Sequence, residues 1–431
     1  MIALIFIGLC VGVVLLVFAF IGVLYSVRGT PIKRVRAIGD IGGPPAVSEP
    51  LFCRSVELFT GTAIRAGHRI EVLANGEEMF PKLWDDLRAA TRSITLQMYY
   101  CNPGVMANLL RSVLAERAQA GVRVLFLHDA FGSSGLTRQY LQSLKDVGVE
   151  IAVFRPVHWY SLHKAQSRSH IRVVVVDGRI GYTGGFGLDD KWFGDGRHAH
   201  QWRDTNVRFT GPSVLALQAT FAAGWVEATG TLITGDEFFP LQDDHASGSQ
   251  TAGLLHAAPT IGSTSAARFL ALSIAGARTS LHITNSYFVP DHDFRTMLVA
   301  AARRGVDVRV LTAGRYTDVR TTRWAGRASY GELLRGGVRI YEYQPTMMHA
   351  KTFVVDGCWS TVGTMNFDNR SMVFNDESNL MVLDAEVGAA LEALFHADLT
   401  CSREMTLAEW ERRPIRERLL ERGASVVGRL L

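Results

Sequence analysis

The chain has 431 residues, 48% hydrophobic and 20% charged, with a formal net charge of +4. That length allows two domains or one large pseudo-symmetric one, and the composition excludes a disordered chain. The modest positive charge suits an anionic substrate or membrane surface without calling for nucleic acid, and the five scattered cysteines, with no CxxC pair, argue against a disulfide framework or a cysteine zinc site and favour a reducing compartment.

From Ile2 to Tyr25 there is no charged side chain, and Leu, Ile, Val and Phe dominate. A helix needs about 20 such residues to cross a hydrocarbon core. No Lys or Arg precedes the run, unlike a cleavable signal peptide, whereas Arg28, Lys33, Arg34 and Arg36 follow it. The pattern predicts one transmembrane helix over residues 1–26, with the bulk of the chain on the cytoplasmic face. A secretion signal is the bland alternative. Residues 27–60 read as a juxtamembrane linker.

Beyond this point the sequence repeats itself. Ser93 to Tyr100 resembles Ser280 to Tyr287, and each is an apolar strand candidate. Helical patterns follow at Val105–Ala120 and Phe294–Arg304, ending at Gly121 and Gly305. Second strands come at Val122–Leu127 and Val306–Leu311, and third strands at Gly148–Phe154 and Gly337–Tyr343. Strand and helix alternation implies crossover units. We therefore expect an α/β fold of two pseudo-symmetric halves, residues 61–240 and 266–404, each a mixed, largely parallel sheet flanked by helices. The Gly-, Ser- and Asp-rich stretch 241–265 reads as a linker, and residues 405–431 as an amphipathic C-terminal helix.

The chemistry follows the third strand of each copy. The second copy reads His349-Ala-Lys351, then Asp356-Gly357, then Gly363-Thr-Met-Asn366. On a strand, His349 and Lys351 share a face, and the turn at Asp356 can return Asn366 to the same place. An imidazole, a fixed cation and an amide donor suit a phosphodiester. The first copy reads His170-Ile-Arg172, then Asp177-Gly178, then Gly184-Gly-Phe-Gly187. Downstream, Asp204 and Glu377 occupy matching places and are the natural carboxylates to orient one imidazole each. His198 and His200 lack a third ligand and read as a polar loop. His163-Lys164 lacks the intervening residue of the motif, and His128-Asp129 ends a strand.

His-x-Lys-x4-Asp resembles the signature of the phospholipase D superfamily, and the segment from His349 to Ser371 matches it fully. Flanking runs, among them Tyr287-Phe-Val-Pro-Asp291 and Trp202-Arg-Asp-Thr205, resemble bacterial cardiolipin synthases. The resemblance implies one site at the seam of two halves, without metal or cofactor. It implies His170 as nucleophile, forming a phosphohistidine, and His349 as general acid. It also implies transfer of a phosphatidyl group between anionic phospholipids, at a bacterial inner membrane. A hydrolase with the same chemistry and a degenerate lipid-binding protein are the alternatives. Asp177 and Asp356 read as turn-holding residues. Two departures stand in the first copy: Arg172 where the family has Lys, and Gly187 where it usually has Asn. The first keeps the charge with a different shape, and the second removes a donor.

Overall fold

A computed structural model of the chain describes residues 2–26, 32–36, 43–156, 168–241, 248–260 and 262–427, with α1 side chains described from Ile7 to Phe20. His163 and Lys164 lie outside the described residues.

The N-terminal helix α1 (Ile2–Ser26) carries no acidic side chain in its first turn and no basic one in its last. Among the described residues no helix is long and apolar enough to cross a membrane. The side chains of Leu9, Leu15, Leu16 and Phe18 nevertheless stand exposed, so this helix buries little against the rest of the chain.

The strands in chain order are β1 (Arg65–Ala74), β2 (Ser93–Met98), β3 (Arg123–Asp129), β4 (Glu150–Phe154), β5 (Arg172–Val176), β6 (Ile180–Gly184) and β7 (Thr205–Thr210). They continue as β8 (Gln250–Ala257), β9 (Ser280–Asn285), β10 (Asp307–Ala313), β11 (Arg339–Tyr343), β12 (Lys351–Val355), β13 (Trp359–Gly363), β14 (Glu377–Leu383) and β15 (Ser402–Met405). All join one 15-stranded sheet in the order β15-β11-β10-β9-β12-β13-β14-β8-β1-β7-β6-β5-β2-β3-β4. The order outward from the central β8–β1 pair is nearly the same on both sides.

The direction of the sheet corrects the expectation. Four described pairings are parallel, β2–β3, β3–β4, β9–β10 and β10–β11. Ten are antiparallel. Helical crossovers enforce parallel pairing only among β2, β3 and β4 in one half and β9, β10 and β11 in the other. The motif strands β5 and β12 turn back through short hairpins, and these need no crossover. In each hairpin an Asp-Gly pair takes positive φ, 54° and 65° at Asp177-Gly178, 50° and 67° at Asp356-Gly357. The Asp177 carboxylate accepts from the backbone N–H of Thr91, Arg92 and Ser93, tying the turn to the start of β2. Asp356 does the same for Arg278, Thr279 and Ser280 ahead of β9.

The stretch read as a linker is also corrected. It contains β8, which pairs with β14 over seven residue pairs and with β1 at the centre of the sheet. Its residues Ala252, Leu254, Leu255 and Ala257 are buried, although the flanking Gly and Ser give the stretch a loop composition. The C-terminal stretch is two helices, Leu407–Glu411 and Ile415–Val427, because Pro414 stands between them.

Three large apolar clusters hold the sheet. One underlies β2, β3 and β6, and one underlies β9, β10 and β12. The third mixes Val173, Val175, Val207 and Phe209 with Leu254, Val354, Val362 and Leu380. Residues from both ends of the chain therefore share one core beneath the motif strands.

Candidate active site

His170 and His349 stand at the same place in their two copies, just before β5 and β12. Their backbones are fixed by the opposite copy. The His170 N–H donates to the carbonyl of Asp376 at 3.0 Å, and the His349 N–H to that of Arg203 at 2.7 Å. Isolated bridges, Ser169 with Asp376 and Arg203 with Met348, extend each contact by one residue.

This crossing places the carboxylates. His170 Nδ1 lies 3.1 Å from both oxygens of Glu377, and His349 Nδ1 lies 3.0 Å from Asp204 Oδ2. Each imidazole therefore takes its carboxylate from the other copy. Such a carboxylate fixes the tautomer with the proton on Nδ1 and leaves Nε2 for chemistry. Both rings are nearly enclosed, His170 at 7% exposure and His349 at 4%.

The cations flank the rings. Lys351 Nζ donates to Ser286 Oγ at 2.7 Å and to the His349 carbonyl at 2.5 Å. Arg172 donates through Nε to the Phe186 carbonyl at 3.1 Å and through a terminal nitrogen to the His170 carbonyl at 2.7 Å. Asn366 is buried, and its Oδ1 has no partner among the described residues. In the amide orientation with O and N exchanged, that position presents an N–H donor to a ligand.

These charges act on one another. Burial, then Arg172 and Lys351, hold the His170 imidazole well below its ordinary pKa. Burial and Lys351 bring His349 down to about 3, against the pull of Asp204. Burial, reinforced by Arg172, lowers Lys351 to about 7. Burial raises Glu377 to about 7. Burial also pushes Asp204 upward, but hydrogen bonds from His349 and Trp192 and the Lys351 charge outweigh it, leaving its carboxyl below the usual range. Since Lys351 lowers both imidazoles and Arg172 is felt by both, the two copies build one electrostatic unit.

The structure thus brings together His170, Arg172, Asp204, His349, Lys351 and Glu377, with buried Asn366 on the segment after β13. His198 and His200 are exposed, and among the described residues no group of three or more potential metal ligands is assembled.

The sequence did not point to Trp192. Its indole N–H donates to Asp204 Oδ2 at 2.9 Å, the same oxygen that faces His349. Its ring stands edge-on to His349 with centroids 5.2 Å apart, and Trp202 lies 4.9 Å from the same imidazole. A Cβ added at Gly187 would come within 2.7 Å of the Trp192 ring. The glycine is therefore the space this indole occupies. In the second copy the matching support is a hydroxyl: Thr364 Oγ1 donates to Glu377 Oε2 at 2.5 Å. At the equivalent Gly185, a Cβ would meet Asp204 Oδ1 at 2.2 Å, so no side chain fits there.

Trp192→Phe deletes the N–H together with the outer part of the indole that fills the space at Gly187. A hydrogen bond to a charged group contributes about 1.5–3 kcal/mol, so kcat/KM is expected to fall roughly 10- to 100-fold, and the lost bond and lost buried volume are expected to lower thermal stability as well. An unchanged pH–rate profile and rate for Trp192→Phe would show that the indole does not tune Asp204.

A family profile described as "Cardiolipin synthase, PLD-like domain" matches residues 83–223 and 270–399. A cardiolipin synthase of Geobacillus sp. (strain WCH70) is 34% identical over 361 residues, 84% of this chain and 72% of that protein. Cardiolipin synthase A of Pseudomonas syringae pv. syringae (strain B728a) is 32% identical over 386 residues, 86% of this chain and 79% of that one. Among solved structures, a phosphatidylserine synthase of Haemophilus influenzae Rd KW20 superposes with a TM-score of 0.65 at 12% identity, over 88% of this chain and 100% of that one. That likeness is one of fold.

Proposed function

The chain belongs to the cardiolipin synthase, phospholipase D-like family of phosphatidyltransferases, and from that premise we propose that it joins two phosphatidylglycerol molecules through a covalent phosphohistidine. The observation that carries this reading is the crossed pairing of two buried imidazoles with two carboxylates, each pair drawing on both copies.

In the first step His170 Nε2 attacks phosphorus of one phosphatidylglycerol. The P–O bond to the headgroup glycerol breaks, and His349 Nε2 supplies the proton that lets glycerol leave. In the second step the headgroup hydroxyl of another phosphatidylglycerol gives its proton back to His349 and attacks phosphorus. The P–N bond breaks and frees His170. Lys351, Arg172 and Asn366 hold the non-bridging oxygens, whose charge grows in each transition state. Before substrate binds, burial and then Lys351 keep His349 from binding a proton. A bound phosphodiester anion offsets that cation and raises the imidazole toward the range a general acid needs.

The matching strand orders on the two sides of β8–β1 support two pseudo-symmetric halves, approximately residues 61–240 and 266–404. The charge-free run of the N-terminal helix and its exposed apolar side chains support a membrane anchor with the catalytic halves on the cytoplasmic side.

The test is product identification. Purified full chain in mixed micelles with phosphatidylglycerol is expected to yield a diphosphatidyl lipid and free glycerol in equal amounts. Phosphatidic acid as sole product would make the protein a hydrolase, and no turnover would leave it a lipid-binding protein.

Two groups set the pH dependence with opposite signs. Lys351 must be protonated to hold phosphate, and its pKa is lowered to about 7. The free enzyme therefore loses its clamp as pH rises, and kcat/KM is expected to show a falling limb above about 7, while Glu377, raised to about 7, must ionise to orient His170 and gives a rising limb below it. In kcat the falling limb lies higher, because bound phosphate holds the ammonium charged. Lys351→Arg, which does not titrate in this range, is expected to abolish the falling limb while lowering the rate. Persistence of the falling limb in Lys351→Arg would assign it to another group.

A further inference from the structure

A second basic cavity lies away from the histidines. It has a volume of about 590 Å³ and is lined by Lys33, Arg34, Arg278 and Arg304 over an apolar floor that includes Ile274, Met297 and Val306. No carboxylate lines it among the described residues. We propose that this cavity binds the phosphate of an anionic phospholipid headgroup, at a site separate from the catalytic one.

Several observations build the site. Ile32 and Val35 pack against the apolar cluster of the second half, which pins the short segment after the N-terminal helix to the domain. Lys33 and Arg34 are carried on that segment and stand exposed at the cavity. Arg278 is held in place by donating to the carbonyls of Ala275 at 3.0 Å, Ala277 at 3.2 Å and Pro44. Arg304 donates to the Ile274 carbonyl at 3.3 Å. Burial, with repulsion from Arg278, lowers the Arg304 pKa. The nearby Asp356 carboxylate is taken up by the backbone N–H groups of Arg278, Thr279 and Ser280.

Position selects the ligand. In the sequence Lys33 and Arg34 follow soon after the N-terminal helix, and clustered Lys and Arg beside a membrane span favour anionic lipid. Arg278 sits at the Asp356 end of β12, and Lys351 begins the other end. One extended strand of that length puts the two phosphate sites roughly 15 Å apart. The inference borrows only the anchor from the proposed function. It does not depend on the reaction.

The experiment uses full chain in neutral-detergent micelles. Native mass spectrometry counts the lipids retained from added phosphatidylglycerol or phosphatidylcholine, in wild type, in Lys33→Glu/Arg34→Glu, in His349→Ala and in the two combined. His349→Ala, which does not turn the lipid over, is expected to retain one phosphatidylglycerol beyond any held at the catalytic site, and Lys33→Glu/Arg34→Glu added to it is expected to retain that one roughly thirtyfold more weakly. Lys33→Glu/Arg34→Glu keeps its kcat in saturating substrate micelles, which shows that it is folded. Equal retention of phosphatidylcholine, or unaltered retention by the charge-reversed chain, would overturn the proposal. Displacement by inorganic phosphate at the same concentration would assign the cavity to free phosphate and overturn the lipid reading. Flotation of the protein with neutral vesicles reads the anchor separately, so loss of anchoring and loss of this site are distinguishable.

Discussion

His170→Ala and His349→Ala are each expected to lower phosphatidyl transfer by about 10⁴-fold or more, because each ring takes part in a bond-making or proton-moving step that no neighbour can perform. The two substitutions separate when the leaving group changes. A phosphatidyl ester of p-nitrophenol needs no proton to depart. With it, His349→Ala is expected to recover the first step and to show a burst of p-nitrophenol. His170→Ala is expected to show none, since it lacks the nucleophile. A burst from His170→Ala, with none from His349→Ala, would exchange the two roles. Folding is the control. Each substitution leaves a buried carboxylate without its imidazole, Glu377 in one case and Asp204 in the other. The stability cost is about 1–3 kcal/mol, which a thermal melt reads. His349→Ala is expected to suffer more, because the Asp204 carboxyl it leaves lies below the usual range while Glu377 is raised to about 7 and can take up a proton.

The second large effect tests the crossing. Glu377→Gln and Asp204→Asn are expected to cost about 10³–10⁴-fold in rate, since an amide in place of the carboxylate no longer fixes the Nδ1–H tautomer. The pattern matters more than the size. Glu377→Gln is expected to behave like a lesion of His170, 207 residues away, and Asp204→Asn like a lesion of His349, 145 residues away. With the p-nitrophenyl ester, Asp204→Asn therefore keeps the burst and Glu377→Gln loses it. Combining Glu377→Gln with His170→Ala adds little beyond the single loss, because the two act as one unit. If Glu377→Gln instead tracked His349, the pairing would run within each half.

Much of this site was legible in the residues. Two copies of a His-x-Lys or His-x-Arg motif, each followed by an Asp-Gly turn, place His170, Arg172, His349 and Lys351, with Asn366 downstream, and two later carboxylates stand at matching positions. The partner assignment was not legible. A repeat aligned with itself shows that Asp204 and Glu377 correspond, but it does not say whether chain ends meet within a copy or across the seam. That depends on the central β8–β1 pairing. β8 was itself missed because a short strand among Gly and Ser carries too little pattern to outweigh its surroundings. The sheet was read as largely parallel because crossover units are conspicuous in sequence, whereas hairpin reversals are marked only by Asp-Gly. Gly187 read as a missing donor for a related reason. The ring that fills its space belongs to Trp192, on a short 3₁₀ turn whose composition gives no sign of what it touches.

One site, made jointly by both copies, is the claim beneath all of these expectations. Structure determination of the full chain soaked with orthovanadate, a mimic of pentacoordinate phosphorus, tests it most directly. The account predicts a single vanadate bound between Nε2 of His170 and Nε2 of His349, held by Lys351, Arg172 and Asn366. Two separate vanadates, one on each histidine with its own cation, would contradict it.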